Sequence, residues 1–454
     1  MIINNLLRRK GRTIMSIVAV AISTALLVSL LSVAEGIWQN ASYSILTSRE
    51  DIGIIPQLPG GSGGVWGISN GHKIAEDIKS DRVNVSEVSP IFTGLLNIEV
   101  NHSSINSQLS GTNLLYELES GDELETEAQL ETGLVVSIGI IPERFKKFFV
   151  DENTYNFGII KFKFTDWFET PGDPHYQNNF NGPWTYEILI DNHLAKVYNL
   201  KLGSTASLTI GLEPVTFRVV GIFDTNLEER YFQDEFQLKG LVILHLSEYQ
   251  SLVGEDVILK DDKEVVIDNV DSIAISLKDS RPDEYSTDDV AYSIQEKYPL
   301  LNIVTKEEQL ESLEEQNAMT RVFYTAISII SIIIGLLFVA CIMLISVYER
   351  INEIGMMRAI GISRLTIFRW VLLESVLMII IGILIGFLPG YIGSELLGEY
   401  ISSDIGISED LTAFSPGLLI WSFLGMLILG TLMSLIPAIR ASQMKVSKAL
   451  SFVR

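Results

Sequence analysis

Few residues in this 454-residue sequence are arranged for covalent chemistry. Its five histidines, His72, His102, His175, His193 and His245, are scattered without metal-ligand spacing, so no metal site is expected. No G-x-x-x-x-G-K-[ST] run and no G-x-S-x-G run occurs, which leaves no nucleotide-binding loop and no serine elbow to expect. Acidic side chains are plentiful, but a solvated acidic surface accounts for them. The reading is therefore of a chain that is not itself an enzyme and binds no cofactor. Glu374 stands apart as the one ionisable residue inside an otherwise apolar run. It lies about two and a half turns into its helix, so the favoured reading is that it reaches the membrane interface.

Recognition chemistry is better represented. YERINEIGMMRAIGISRLTIFRW, residues 348–370, carries Glu349, Arg350, Glu353, Arg358, Arg364 and Arg369 between two long apolar stretches. Glu349 to Ile360 is rich in helix formers, with Ile351, Ile354, Met357 and Ile360 at steps of three. Gly361 suits the position just past a helix, and Ser363 suits the N-cap of the next. The pattern predicts a short amphipathic helix. Its apolar edge and flanking arginines suit either a partner's groove with acidic rims or a lipid surface, and the residues alone leave both open.

The elements that carry this stretch follow from composition. A mean hydropathy of +0.30 with a formal charge of −23 is unusual for a soluble protein and fits a membrane protein with a large acidic soluble part. No nucleic-acid partner is expected. Four segments, 13–34, 322–347, 365–392 and 418–439, are long and apolar enough to cross about 30 Å of hydrocarbon. Basic residues cluster at Arg8, Arg9, Lys10 and Arg12, in the 348–370 stretch, and at Arg440, Lys445, Lys448 and Arg454. The 393–416 segment holds acids and no base. The positive-inside rule then gives a cytoplasmic segment 1–12, a span 13–34, an extracytoplasmic domain 35–321 and a span 322–347. A cytoplasmic loop 348–364, a span 365–392, an extracytoplasmic loop 393–417, a span 418–439 and a cytoplasmic tail 440–454 complete the order. A cleaved signal peptide is the alternative for the first span. Its apolar stretch of about 22 residues exceeds the usual h-region, so a retained membrane helix is expected.

The expected class is an α-helical membrane protein with four transmembrane helices and a large α+β extracytoplasmic domain between the first two, carried on a helical stalk. Residues 35–46 extend the first helix, and a glycine-rich loop follows. Short β-prone runs occur at 83–100, 133–141, 158–168, 185–191, 204–211 and 215–223. Short helices are predicted at 72–78, 142–149, 191–198 and 247–253, the last with Ser247 as a possible N-cap. Thr305 and Glu308 have capping-box spacing, and one helix of about 40 residues is predicted from there to Val347. Gly382, Gly386 and Gly390 make a smooth helix face for close packing, and Pro389 is predicted to kink that helix. The single cysteine, Cys341, lies within the second span, so the outer domain has no disulfide. The sequons at Asn40, Asn84 and Asn101 all fall on the outer side, where chance accounts for them.

YERINEIGMMRAIGISRLTIFRWVLLES resembles the signature of MacB/FtsX-type permeases, in which E-R-x-x-E-I-G-x-x-R/K-A-x-G-A/S follows the second transmembrane helix. Glu349, Arg350, Glu353, Ile354, Gly355, Ala359 and Gly361 match. The C-terminal IPAIRASQMKVSKAL is similar to the family's P-A-x-R-A ending, although Lys448 stands where an acid is common and no proline precedes it. The N-terminal NLLRRKGRTIMSIVAVAIS and the run from LKLGSTASLTI to GLVILHLSEYQSLVG are also similar.

This resemblance implies the permease subunit of an ABC transporter. It would form a homodimer, or a heterodimer with a related permease, on a separate cytoplasmic ATPase that holds ATP and Mg. The 349–361 helix would be the coupling helix, with Glu349, Arg350, Glu353, Ile354, Gly355, Met357, Arg358, Ala359 and Gly361 at the ATPase interface. Ile354 and Gly355 are expected at its centre. The implied mechanism is mechanotransmission: ATP-driven closure is relayed along the stalk to the outer domain for export or extraction of a substrate on the outer side. The alternative is an FtsX-like regulator that activates an outer partner such as a cell-wall hydrolase. A sensor working without an ATPase is a third reading. Membrane lipids and an extracytoplasmic adaptor or effector complete the expected partners.

Overall fold

A computed structural model describes residues 10–56, 67–82, 84–101, 130–157, 160–210, 213–227, 238–260, 263–278, 286–405 and 411–443. Arg8, Arg9, Lys445, Lys448, Arg454, the glycine-rich run 57–66, and His102 with the rest of the third sequon lie outside the described residues. The chain divides into two compact units. One is a membrane unit built from Met1–Asn40, Leu313–Ser402 and Glu409–Arg454. The other is an α+β unit formed mainly by Ala41–Ser312.

In chain order the first elements are α1 (Lys10–Thr47), β1 (Ile52–Pro56), α2 (Gly71–Asp81), β2 (Val85–Asn101), β3 (Leu130–Ile140) and α3 (Pro142–Phe145). Then come β4 (Thr154–Phe157), β5 (Ile160–Phe164), β6 (Glu187–Asp191), α4 (Asn192–Val197), β7 (Thr205–Thr209) and β8 (Val215–Thr225). They are followed by β9 (Leu238–His245), α5 (Leu246–Val253), β10 (Val257–Lys260), β11 (Lys263–Val266), β12 (Ser272–Leu277), α6 (Thr287–Lys297) and β13 (Leu301–Thr305). The last are α7 (Lys306–Glu349), α8 (Ile351–Ala359), α9 (Arg364–Ile405) and α10 (Pro416–Ser442).

In the α+β unit the pairings β2–β3, β3–β9, β9–β6, β6–β8, β8–β7 and β7–β2 form a closed circuit. Closure gives each of these six strands two neighbours and leaves the sheet's edges to the extensions. The order β12–β1–β13 extends the sheet from β2, and β5–β4 extends it from β8. Side chains alternate between two cores. On β6, Ile188 and Ile190 enter the main core while Leu189 enters a second one. On β9, Val242 and Leu244 alternate with Leu241 and Ile243 in the same way. Strands covered on both faces read as unbroken apolar runs, as ILI (188–190) and LVIL (241–244) do. The second core is aromatic, with Phe149 stacked on Phe164 at 5.1 Å and Trp167 edge-on to both.

The segment between β5 and β6 is pinned by buried polar groups. His72 Nδ1 lies 2.7 Å from Asp268 Oδ1 and Nε2 lies 3.2 Å from Asp173 Oδ2. Its ring stacks on Tyr176 at 3.7 Å. Burial alone would depress the His72 pKa, but Asp173 and Asp268 outweigh it and push it up to about 9. Ser247 is not the N-cap of α5, a position taken by His245. It sits in the first turn, where its hydroxyl and its backbone N–H both donate to Asp173. Three histidines that look scattered along the chain, His72, His175 and His245, are therefore all buried in this unit. No metal-holding cluster occurs among the described residues.

The other short helices fall where expected: α2 over 72–78, α3 with a following 3₁₀ turn over 142–148, and α4 over 191–198. The capping box at the start of α7 forms, with Glu308 N–H donating to Thr305 Oγ1 at 3.2 Å and Thr305 N–H to Glu308 Oε2 at 2.8 Å. From there α7 runs unbroken for 44 residues.

In the membrane unit α1, α7, α9 and α10 are each long and apolar enough to cross a bilayer. The segment expected as a loop at 393–417 is helical as far as Ile405, and α9 passes through Pro389 without ending. The glycines of α9 face α1 within the unit. A Cβ at Gly382 would fall 2.6 Å from Val20 Cβ, and one at Gly386 would fall 2.5 Å from the Ala21 carbonyl oxygen. Gly390 faces Ala25 and Val28, and its carbonyl accepts from Ser29 Oγ at 3.0 Å. Such backbone approach needs residues without side chains.

Candidate functional site

The charged stretch between the second and third spans folds as α8. Its N-terminal corner is a single residue, Arg350, separating α7 from α8. Its C-terminal end closes as a Schellman motif. Gly361 N–H donates to Arg358 O at 3.1 Å, Ile362 N–H donates to Met357 O at 3.1 Å, and Gly361 has φ +101°. A left-handed residue at that position favours glycine. Ser363 then caps α9, accepting from Thr366 N–H at 3.2 Å.

Three contacts fix α8 to its own membrane unit. Ile354, 4% exposed, packs in an apolar cluster with Met343, Val347, Ile367 and Val371. Arg350 Nη1 donates to both carboxylate oxygens of Glu374, at 3.2 and 3.3 Å. Arg358 Nη1 donates to the Ser442 carbonyl at the end of α10, at 3.4 Å. Met357 and Ile362 are partly buried against the same cluster.

The opposite face is open. Glu353, Met356 and Ile360 share it at i, i+3 and i+7, with Ala359 beside them. Met356 is 52% and Ile360 84% exposed. The steps-of-three stripe is therefore split. Ile354 and Met357 turn inward, and Ile360, at the C-cap, turns outward.

The two residues expected at the centre of a partner contact lie on the inner face. Ile354 and Gly355 are buried by the chain's own spans, because the apolar cluster at the ends of α7 and α9 needs a lid. Arg350 is likewise committed to Glu374 and is half-buried. Glu349, Glu353, Ala359 and Gly361 are exposed, and Arg358 is half-buried. Met356, not singled out in the sequence, shares the exposed face by its spacing with Glu353 and Ile360. The arrangement holds no nucleophile, acid–base pair or metal set. It can present a rigid, mostly apolar edge for docking.

Residues 325–446, the stretch that includes α8, match the FtsX-like permease C-terminal family. The chain is 25% identical over 272 residues to the macrolide export ATP-binding/permease protein MacB of Psychrobacter cryohalolentis. That alignment covers 59% of this chain and 38% of the relative. It is 33% identical over 141 residues to MacB of Vibrio parahaemolyticus, covering 31% and 21%. With the probable syringafactin export ATP-binding/permease protein SyfD of Pseudomonas syringae it shares 27% over 186 residues, covering 40% of this chain and 27% of that protein. The chain thus spans well under half the length of the curated relatives it matches. Among solved structures, the periplasmic region of MacB from Actinobacillus actinomycetemcomitans aligns with 60% of this chain and 95% of that one, at 13% identity and a TM-score of 0.35. The resemblance read from the sequence is borne out: residues 325–446 match an FtsX-like permease domain, the chain is similar to MacB proteins, and four of its helices are long and apolar enough to cross a membrane.

Proposed function

We propose that this chain is the permease subunit of an ABC system and that α8 docks on a cytoplasmic ATPase carried by a separate subunit. Two permease copies over two ATPase copies would complete the assembly, with ATP and Mg on the ATPase. One observation carries this reading. Inside an FtsX-like permease domain, α8 is clamped on one face by its own spans and turns Met356 and Ile360 outward on the other. Supporting it, α7 is a single helix of about 66 Å at 1.5 Å per residue, starting directly after β13 and ending one residue before α8. ATPase closure would move α8, and α7 would carry the motion to the α+β unit, for export or extraction on the outer side. The export names of the relatives favour this over activation of an outer enzyme.

The test is co-purification of the ATPase with Ile360→Asp and Met356→Asp variants. Burying an unpaired carboxylate in a protein groove costs several kcal/mol. At about 1.4 kcal/mol per tenfold, association falls by roughly a hundredfold or more. On a lipid surface the same changes would leave the complex intact, and retention of the ATPase by both variants would remove the docking assignment.

A further inference from the structure

We infer that Glu374 is a positioning residue: through its ion pair with Arg350 it sets the direction of α8. This rests on the docking reading for its consequence, but its geometry is independent of any partner. The corner between α7 and α8 is one residue long, with Arg350 at φ −93° and ψ 13°. Its backbone is committed on both sides. The Arg350 N–H donates to the Ser346 and Val347 carbonyls at 3.3 and 3.2 Å, and its carbonyl accepts from Ile354 N–H at 2.9 Å. No loop slack exists at this corner, so the side chain that holds Arg350 also holds the first turn of α8.

That holder comes from another span. Glu374 lies ten residues beyond Arg364, about 15 Å into α9 by helical rise. A carboxylate at such a place in an apolar run is costly unless it is partnered. The paired side chains are 16% and 12% exposed, in a pocket walled by Met343, Val347, Trp370 and Val371. The other two contacts described for α8 are Ile354 in the apolar cluster and the Arg358 guanidinium on the Ser442 carbonyl. Among the three contacts described for α8, only Arg350–Glu374 can be exchanged for its mirror image. A carboxylate that only reached for the interface would gain nothing from such an exchange.

The experiment uses the full chain in nanodiscs without ATPase, with Cys341→Ser and spin labels at Ala359 and Leu388, both exposed. Pulsed distance measurements on the parent are expected to give one narrow distribution. Glu374→Gln should broaden or shift it, and the reciprocal Arg350→Glu with Glu374→Arg should restore it. With the ATPase added, Glu374→Gln should lower stimulated ATP hydrolysis about tenfold, and the reciprocal pair should recover it. Identical distributions for the parent and Glu374→Gln would overturn the inference. So would a folded reciprocal variant that stays as broad as Glu374→Gln. If the reciprocal chain does not insert, Glu374→Asp replaces it, and its shortened reach should shift the distribution; no shift overturns the inference. Because the distances are read without the ATPase, they stand apart from loss of docking in Ile360→Asp.

Discussion

At the scale of single residues, the same isoleucine spacing served two masters. Ile354 and Ile360 differ by six positions and look alike in sequence, yet one is 4% and the other 84% exposed. Sequence spacing identifies an amphipathic helix but not which apolar side chains its own protein will cover, because spans and partners offer the same kind of surface. Gly361 was legible, since a Schellman end demands a left-handed residue there. The buried His72 cluster was not, because Asp173 and Asp268 are 101 and 196 positions away from it.

That cluster makes a pH prediction. With its pKa raised to about 9, His72 contributes stability that is fully present below its ordinary value near 6.5 and is lost as pH rises through 9. Burial pushes the carboxyls of Asp191 and Glu248 up to about 7, so their ionisation also weakens the fold as pH climbs from their ordinary values toward 7. The signs agree. Proteolytic resistance of the α+β unit in urea should be higher at pH 6 than at pH 9.5, and His72→Gln should lower it at pH 6 while flattening the alkaline loss. A parent equally resistant at both values would contradict the charge assignment.

At the scale of elements, the long helices were legible and the caps only in part, since Ser247 lies inside α5 and not at its N-cap. The box at Thr305 and Glu308 located the start of α7 to the residue. The apolar run of the third span gives out at Ile392, beyond which acids begin, yet α9 stays helical to Ile405, with Gly390 and Gly393 packed on α1. Helix α6 went unread although Ser286 and Asp289 form a capping box, because its apolar side is only Val290, Ala291 and Ile294. For α7 as a relay, Glu314→Pro removes one backbone donor in a helix interior and costs about 3 kcal/mol. The variant should keep its ATPase but lose the ATP-dependent change in proteolytic protection of the α+β unit. An unchanged ATP response would rule out a rigid relay through this helix.

At the scale of the whole molecule, hydropathy and charge alone gave four spans, one large soluble insertion and an orientation. The closed strand circuit of the α+β unit was beyond reach, because β7, whose pairing with β8 is local, closes it on β2 through pairings more than 100 positions apart in sequence. Orientation is tested in a Cys341→Ser background. Leu202→Cys, 55% exposed at a turn in the parent, should label with an impermeant reagent added to intact cells, and Ser363→Cys should label only after permeabilisation. Labelling of position 363 from outside would invert the scheme. The central claim, that the open edge of α8 meets an ATPase, is tested most directly by placing a photocrosslinking amino acid at position 360 of the assembled complex. An adduct between this chain and the ATPase, abolished by Met356→Asp, is expected. Adducts with lipid alone, while the ATPase stays bound, would contradict it.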